Sequence, residues 1–328
     1  MKCGLCIVAT MMIVITSSVS ALFAAADYPS KPITLIVPQS PGGSRDILAR
    51  AFASAAEKFL GQPFAVVNKP GATRMIGGQA AAQAAPDGYT LAATSTSDTC
   101  ALEWEAANGR KPLFSRRDFV NIVSLNMSPS LVIVPYESPW QKVTDLVSDA
   151  KAKPGHYAFC SGGLYGVSHM PAEIFTRTLG LKFRHVPYTG GGPCITAVVG
   201  KHADFATQFP SSSIQLAKGG KLRILAVQGN KRLKSIPNVP TVKELGIDAE
   251  WYQWVGISAP KNTPMPIVQK LREAAKKVVE DKSYAAVIEN LGDEVYYLLG
   301  DDMTNYWESE SKRVKQIMAE LVKEAAKK

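Results

Sequence analysis

The segment from Ile33 to Gly61 constrains the fold more than any other part of the chain. A short run rich in β-branched residues, Ile33 to Val37, is closed by Pro38 and the turn Pro41-Gly42-Gly43-Ser44. Ile47, Leu48, Ala51, Phe52, Ala55 and Phe59 then recur at helical spacing until Gly61. Such a run, bounded by turn residues, reads as a buried strand, and the periodic stretch after it reads as a helix with Gly61 at its C′ position. The unit returns: Phe64 to Val67 is strand-like, Gly77 to Ala85 is an alanine-rich helix ended by Pro86-Asp87-Gly88, and Thr90 to Ala93 is strand-like again. Strands alternating with helices predict α/β layers around a largely parallel sheet.

A second series starts at Leu131 to Val134 and continues with a helix near Val143 to Lys153, a strand at Tyr157 to Cys160, a glycine turn and a helix near Met170 to Leu179. Further strands are expected at Leu222 to Val227 and Trp254 to Ser258. A helix patterned by Val268, Leu271, Ala275, Val278 and Val279 follows, and a last one begins near Asp301 and Asp302, which suit its N-terminus. The second series repeats the first in outline without a fixed period, so two similar lobes are expected rather than a solenoid.

Lys2, the apolar run from Cys3 to Ile15 and the small residues ending in Ala24-Ala25-Ala26 have the form of a cleavable secretory signal over residues 1–26. Its removal takes away one lysine and no acid, so the net charge of +9 becomes +8 over the remaining 302 residues. Charges of both signs alternate with no long block of either, which argues against a nucleic-acid surface and for a small anionic partner. Cys100, Cys160 and Cys194 remain in an oxidising compartment, and an odd number allows at most one internal bridge. Cys160 and Cys194 each border a glycine turn; free buried thiols are expected, with a bridge between them as the alternative.

Three glycine turns stand between a strand-like and a helix-like run: Pro41 to Ser44, Ser161-Gly162-Gly163, and Thr189-Gly190-Gly191-Gly192-Pro193. Each would aim backbone N–H groups and the positive end of a helix into one place, as anion sites of open α/β sheets do. None carries the Lys-Ser or Lys-Thr of a phosphate loop, and the G-x-G-x-x-G fingerprint is missing. Arg45 stands inside the first turn and Arg74 in the loop after the next strand; a guanidinium in either place suits a carboxylate. Asp46 reads as a first-turn helix residue paired with an arginine, not as a general base. Gly166-Val167-Ser168-His169 is half of a nucleophile elbow, with Met170 in place of the second glycine. His156, His185 and His202 have no metal-ligand spacing, so no metal or cofactor is expected. Tyr165, Tyr188, Phe209, Tyr252 and Trp254 are core candidates, one or two of which suit the apolar wall of a small-molecule site.

Taken together these residues resemble the extracytoplasmic receptors of the tripartite tricarboxylate transporter family, often called Bug proteins. The resemblance rests on "YPSKPITLIVPQSPGGSRDILAR", "NKPGATRMIGG", "APDGYTL", "HVPYTGGGP", "GKHADF", "GGKLRILAV" and "IPNVPTVKELG", in family order over nearly the whole mature chain. It implies a two-lobed α/β periplasmic-binding-protein fold of type II (Venus flytrap), with one lobe over 27–126 completed by 248–328 and the other over 127–247. It also implies a monomeric, non-catalytic periplasmic receptor that passes a small organic carboxylate to a membrane permease. A periplasmic sensor for a histidine kinase is an alternative, and a hydrolase or lyase using a base such as His169 another.

By that likeness Gly42, Gly43, Ser44 and Asp46 belong to the first ligand loop, Ser161, Gly162, Gly163, Ser168 and His169 to the facing one, and Tyr188, Thr189 and Gly190 to the third. Arg45, Arg74, Ser95, Tyr165, Gln208 and Phe209 complete the candidate set. This chain departs from the family pattern at Arg45, at Arg74-Met75 and at Gln208, which stands where an acidic residue is common. Two added cations and one missing anion suggest a dicarboxylate or tricarboxylate, aliphatic or aromatic, with Arg45 or Arg74 on its distal carboxylate.

Overall fold

The computed structural model describes residues 28–325, and the signal assigned to residues 1–26 lies outside them. Strand β1 (Ile33–Val37) runs through the first glycine turn into helix α1 (Ser44–Leu60). Gly61 ends that helix in the left-handed region at φ 69°, where an L side chain is strained, and donates its N–H to the Glu57 carbonyl. Next come β2 (Phe64–Asn68), α2 (Met75–Ala82), β3 (Thr90–Ser95) and α3 (Thr96–Ala107). Strand β1 pairs in parallel with β2 on one side and β3 on the other.

The chain then forms the 17-residue strand β4 (Phe119–Pro135), followed by α4 (Val143–Ala152), β5 (Ala158–Ser161), α5 (Met170–Thr178) and β6 (Arg184–Pro187). After these come α6 (Gly191–Val199), β7 (Phe205–Gln208), α7 (Pro210–Lys218) and β8 (Leu222–Gln228). Strand β5 is parallel to β6 and β7, while the far end of β4 is antiparallel to β7 and β8. The chain returns in β9 (Tyr252–Pro260), antiparallel between β3 and the first part of β4, and closes with α8 (Met265–Glu280), α9 (Lys282–Asn290) and α10 (Gly300–Ala325).

The strand order is β2-β1-β3-β9-β4-β7-β5-β6, with β8 on β4. Strand β4 therefore serves both halves: residues from Phe119 to Pro129 pair with β9, and those from Ser130 to Pro135 with β8. A second crossing runs at Trp251, whose N–H reaches the Gln228 carbonyl and whose own carbonyl accepts from Ser130. Apolar burial, the main stabilising term, is divided the same way. Leu35, Phe52, Ile122, Ile257 and Val268 belong to one cluster, and Val132, Trp140, Phe159, Phe205 and Leu225 to another. A further cluster joins the halves, with Val314, Met318 and Leu321 of α10 against Val167, Met170, Phe209 and Trp251.

Two expectations need correction. The strand expected at Leu131 to Val134 begins twelve residues earlier, because the polar residues of its first half are buried with partners instead of facing water. Asn121 accepts from Ser258, Ser124 accepts from the Leu298 N–H, and Asn126 accepts from the Val255 N–H. Cys160 and Cys194 are not free thiols but a disulfide, since the end of β5 and the first turn of α6 place their Cα atoms 5.8 Å apart, within bridging distance. Cys100 is free and buried.

Candidate functional site

The site is made where the three glycine turns meet, backbone against backbone. A Cβ on Gly192 would lie 2.1 Å from the Pro41 carbonyl oxygen, and one on Gly162 would lie 2.8 Å from the Gly190 carbonyl carbon and the Gly191 nitrogen. Only glycine admits such approaches. Ser40 adds a side-chain link across the same seam, donating to Thr189 Oγ1 at 3.0 Å. Trp104 of α3 stacks on Tyr165 with ring centroids 3.5 Å apart, which ties that helix to the loop after the second turn by aromatic contact.

Between the turns lies a narrow cavity of about 10 Å³, lined by Gln39, Gly43, Ser44, Arg45, Val167, Ser168, Gly191, Gln208, Phe209 and Gln253. That is about the space of one water molecule, far below the roughly 300–1,000 Å³ of pockets built for drug-sized molecules, so the turns are closed on one another and a ligand needs them to part. Three helices start at its wall: Gly43, Ser44 and Arg45 open α1, Gly191 opens α6, and Phe209 directly precedes α7. Their first-turn N–H groups and dipoles make the space electropositive. No carboxylate is among the lining residues.

The two arginines differ. Arg45 is 2% exposed and its guanidinium donates to Ser95 Oγ and pairs with Asp98. Ser95 and Asp98 are themselves the capping box of α3, so Arg45 is fixed by a helix end and has a carboxylate for its charge, while its Nε and Nη1 are buried without partners and it alone of the two arginines lines the cavity. Arg74 is 4% exposed and has no carboxylate partner; it donates to the Gly162 carbonyl at 3.1 Å, while its Nε and Nη1 are buried without partners. Burial first, then the neighbouring charge of Arg45, pushes its pKa down to about 10. Ala72, Thr73 and Arg74 all have positive φ, of 43°, 50° and 76°, which shows how firmly the loop is held in this disfavoured geometry.

Of the other expected residues, Gly43, Ser44, Ser168, Gln208 and Phe209 reach the cavity, and the rest support it or lie elsewhere. Asp46 accepts from the Gly42 N–H, Arg50 and Asn68, shaping the first turn from behind. Burial works against its charge, yet those hydrogen bonds hold its pKa below the ordinary value. Ser161 bonds with His185 Nε2 at 2.7 Å, and the Gly162 N–H donates to Ser168 Oγ at 2.8 Å. His169 Nδ1 accepts the Tyr165 N–H, and its ring stacks on His185 at 3.9 Å. Burial, aided by His185 and Arg177, pushes its pKa well down, so it is a neutral structural ring and not a base facing the cavity. Tyr188 packs on the apolar cluster around Cys194 and Val198, and Thr189 is exposed. Gln39, Val167, Gly191 and Gln253 were missed. Gln253 donates to Ser44 Oγ, which in turn bonds Ser211 Oγ. The only sequence signal for Gln253 is its place in a strand between Tyr252 and Trp254, which does not tell one face from the other.

The model of the tripartite tricarboxylate transporter family receptor matches residues 48–322. The chain belongs to this family. The receptor is 32% identical over 302 residues to a UPF0065 protein of Cupriavidus necator, the match covering 90% of this chain and 89% of the relative. A solved periplasmic transporter superposes on it with a TM-score of 0.83 at 33% identity, over 90% of this chain and 97% of the other. R. palustris Rpa4515 with adipate superposes with a TM-score of 0.82 at 27% identity, over 89% and 98%. The receptor thus has the two-lobed periplasmic-binding fold, works in the periplasm without catalysis, and binds a small organic acid for delivery to its membrane transporter. Among the described residues no cluster of His, Cys, Asp or Glu suits a metal ion.

Proposed function

We propose that the receptor takes a small dicarboxylate or tricarboxylate between the three glycine turns when they part, and closes them on it. The observation that carries this reading is the convergence of three helix N-termini on a lining with no acidic residue. One carboxylate is held by the first-turn N–H groups of α1 and α6 with Ser44 and Ser168. The distal carboxylate is met by the unpartnered Nε and Nη1 of Arg74, which stands just outside the cavity lining and, unlike Arg45 with Asp98, has no carboxylate of its own. The lobes are 27–126 with 248–328 on one side and 127–247 on the other. The division of the apolar clusters supports those bounds, and the glycine turns close across them. The adipate bound to the R. palustris relative, a diacid, is in keeping with this class.

A thermal-shift screen of the mature protein against mono-, di- and tricarboxylates, aromatic diacids included, tests it. A ligand binding only the folded state at a hundredfold excess over its Kd adds about 2.7 kcal/mol. A shift with a diacid and none with its monoacid is expected; equal shifts for both, or none for any carboxylate, would overturn the proposal.

A further inference from the structure

Gln208 ends β7, where Leu131 of β4 pairs with it, and its side chain enters the cavity against the third turn. The amide oxygen lies 3.1 Å from where a Cβ on Gly191 would stand, which holds the amide beneath that turn. Its Nε2 is buried, faces the cavity lining and has no partner in the protein. A buried amide donor without an acceptor is a cost to the folded state that a bound acceptor removes. Around it the sole ionised group of the lining is a cation, Arg45, and the hydroxyls of Ser44 and Ser168 already accept from Gln253 and Gly162. The carboxylates beside Arg45 and in the first turn of α1 are engaged elsewhere, Asp98 with Arg45 and Asp46 with Gly42, Arg50 and Asn68.

From this we infer that Gln208 is a specificity residue, which donates to an oxygen of the ligand and excludes ligands carrying an amino group. The inference rests on the carboxylate site proposed above and deepens it: the ligand class becomes diacids that are unsubstituted or bear an oxygen substituent, and acidic amino acids fall outside it. An ammonium brought into this space would be a buried cation facing N–H donors with no anion to meet it. A hydroxyl, a carbonyl or a carboxylate oxygen accepts from Nε2. Glutamate at position 208 would reverse this by replacing the donor with an anionic acceptor of nearly the same shape.

The test is titration calorimetry with matched pairs that differ only by the amino group: succinate and L-aspartate, glutarate and L-glutamate, adipate and L-2-aminoadipate. Wild-type protein is expected to bind at least one diacid and to bind its amino partner at least about 100-fold more weakly. Gln208→Glu is expected to weaken the diacid about tenfold or more and to narrow or invert that ratio. Gln208→Met, which keeps the volume and removes the donor, is expected to weaken the diacid without improving the amino acid. Wild-type binding of an amino acid as tight as that of its diacid overturns the inference. So does a ratio unchanged in Gln208→Glu when circular dichroism shows the native fold. Absence of binding by every acid of the panel instead overturns the underlying carboxylate reading.

Discussion

Arg74→Met is the substitution whose effects on stability and on binding should point in opposite directions. The guanidinium is buried, with one hydrogen bond to Gly162 and no carboxylate partner in the protein. The fall of its pKa from 12.5 to about 10 corresponds to about 3 kcal/mol against the charged form at neutral pH. Methionine removes that penalty and roughly fills the space, but gives up the bond to Gly162, which as a bond to a charged group contributes about 1.5–3 kcal/mol. The two nearly offset, so the variant should unfold at the wild-type temperature or a few degrees above it, at about 2–4 °C per kcal/mol for a chain of this size. Binding should suffer. A lost guanidinium–carboxylate contact worth about 1.5–3 kcal/mol weakens a diacid about 10- to 150-fold, while its monoacid changes by no more than about threefold. Calorimetric titration of both acids and differential scanning calorimetry of the free proteins read out the two halves. Equal losses for diacid and monoacid would refute the placement of Arg74 on the distal carboxylate. A fall of more than about 10 °C would refute the account of its burial as uncompensated.

Further outcomes follow from other parts of the site. Gly192→Ala sets a methyl group against the Pro41 carbonyl, so the first and third turns should be held apart, with ligand affinity down more than about tenfold and an unchanged far-UV spectrum; wild-type affinity would show that the turns need not touch. Loss of the disulfide in Cys160→Ala/Cys194→Ala opens a loop of 34 residues, for which chain entropy gives about 4 kcal/mol. The urea midpoint should fall accordingly, and the midpoint of the double variant should be indifferent to added dithiothreitol. His185, pushed by burial to about 4, and His169, also pushed well down, are neutral in the folded state and titrate near 6.5 when unfolded. Their contribution is fully present above pH 6.5 and is lost as pH falls toward 4, because the unfolded chain binds protons the native one does not. Melting temperatures measured from pH 7 to 4.5 should therefore fall less in His185→Gln than in wild type; parallel curves would remove His185 from the acid response.

The parts of the fold that the sequence disclosed are those written in periodicity. Helix α1 with its Gly61 stop, the parallel β1, β2 and β3, and the amphipathic α8 all have apolar residues at the spacing of their element. What stayed hidden depends on partners distant in the chain. The first half of β4 reads as polar because Asn121, Ser124 and Asn126 are satisfied by residues 129 to 174 positions away. Helix α3 begins Thr96-Ser97-Asp98-Thr99, a string that looks like loop until Glu310 of the last helix accepts from Thr96 and Thr99. In the site the glycine turns were legible as turns, and Gln208 as a departure from the family pattern. That Arg45 has a carboxylate partner and Arg74 has none could not be read, since Asp98 lies more than fifty residues from Arg45 along the chain and its place next to that guanidinium is decided by the packing of α3.

Strand β4 is continuous through both sheets, and β9 runs beside it with a register shift on either side of Ser124. The lobes are consequently coupled as two plates riveted to one flexed strip, and not as two bodies on a free linker. Any opening of the cleft has to bend a hydrogen-bonded ribbon, so the restoring force rises from the first degree of rotation. Such a hinge favours small, elastic excursions about one shape, in which the glycine turns separate and meet again without the sheet losing its pairing.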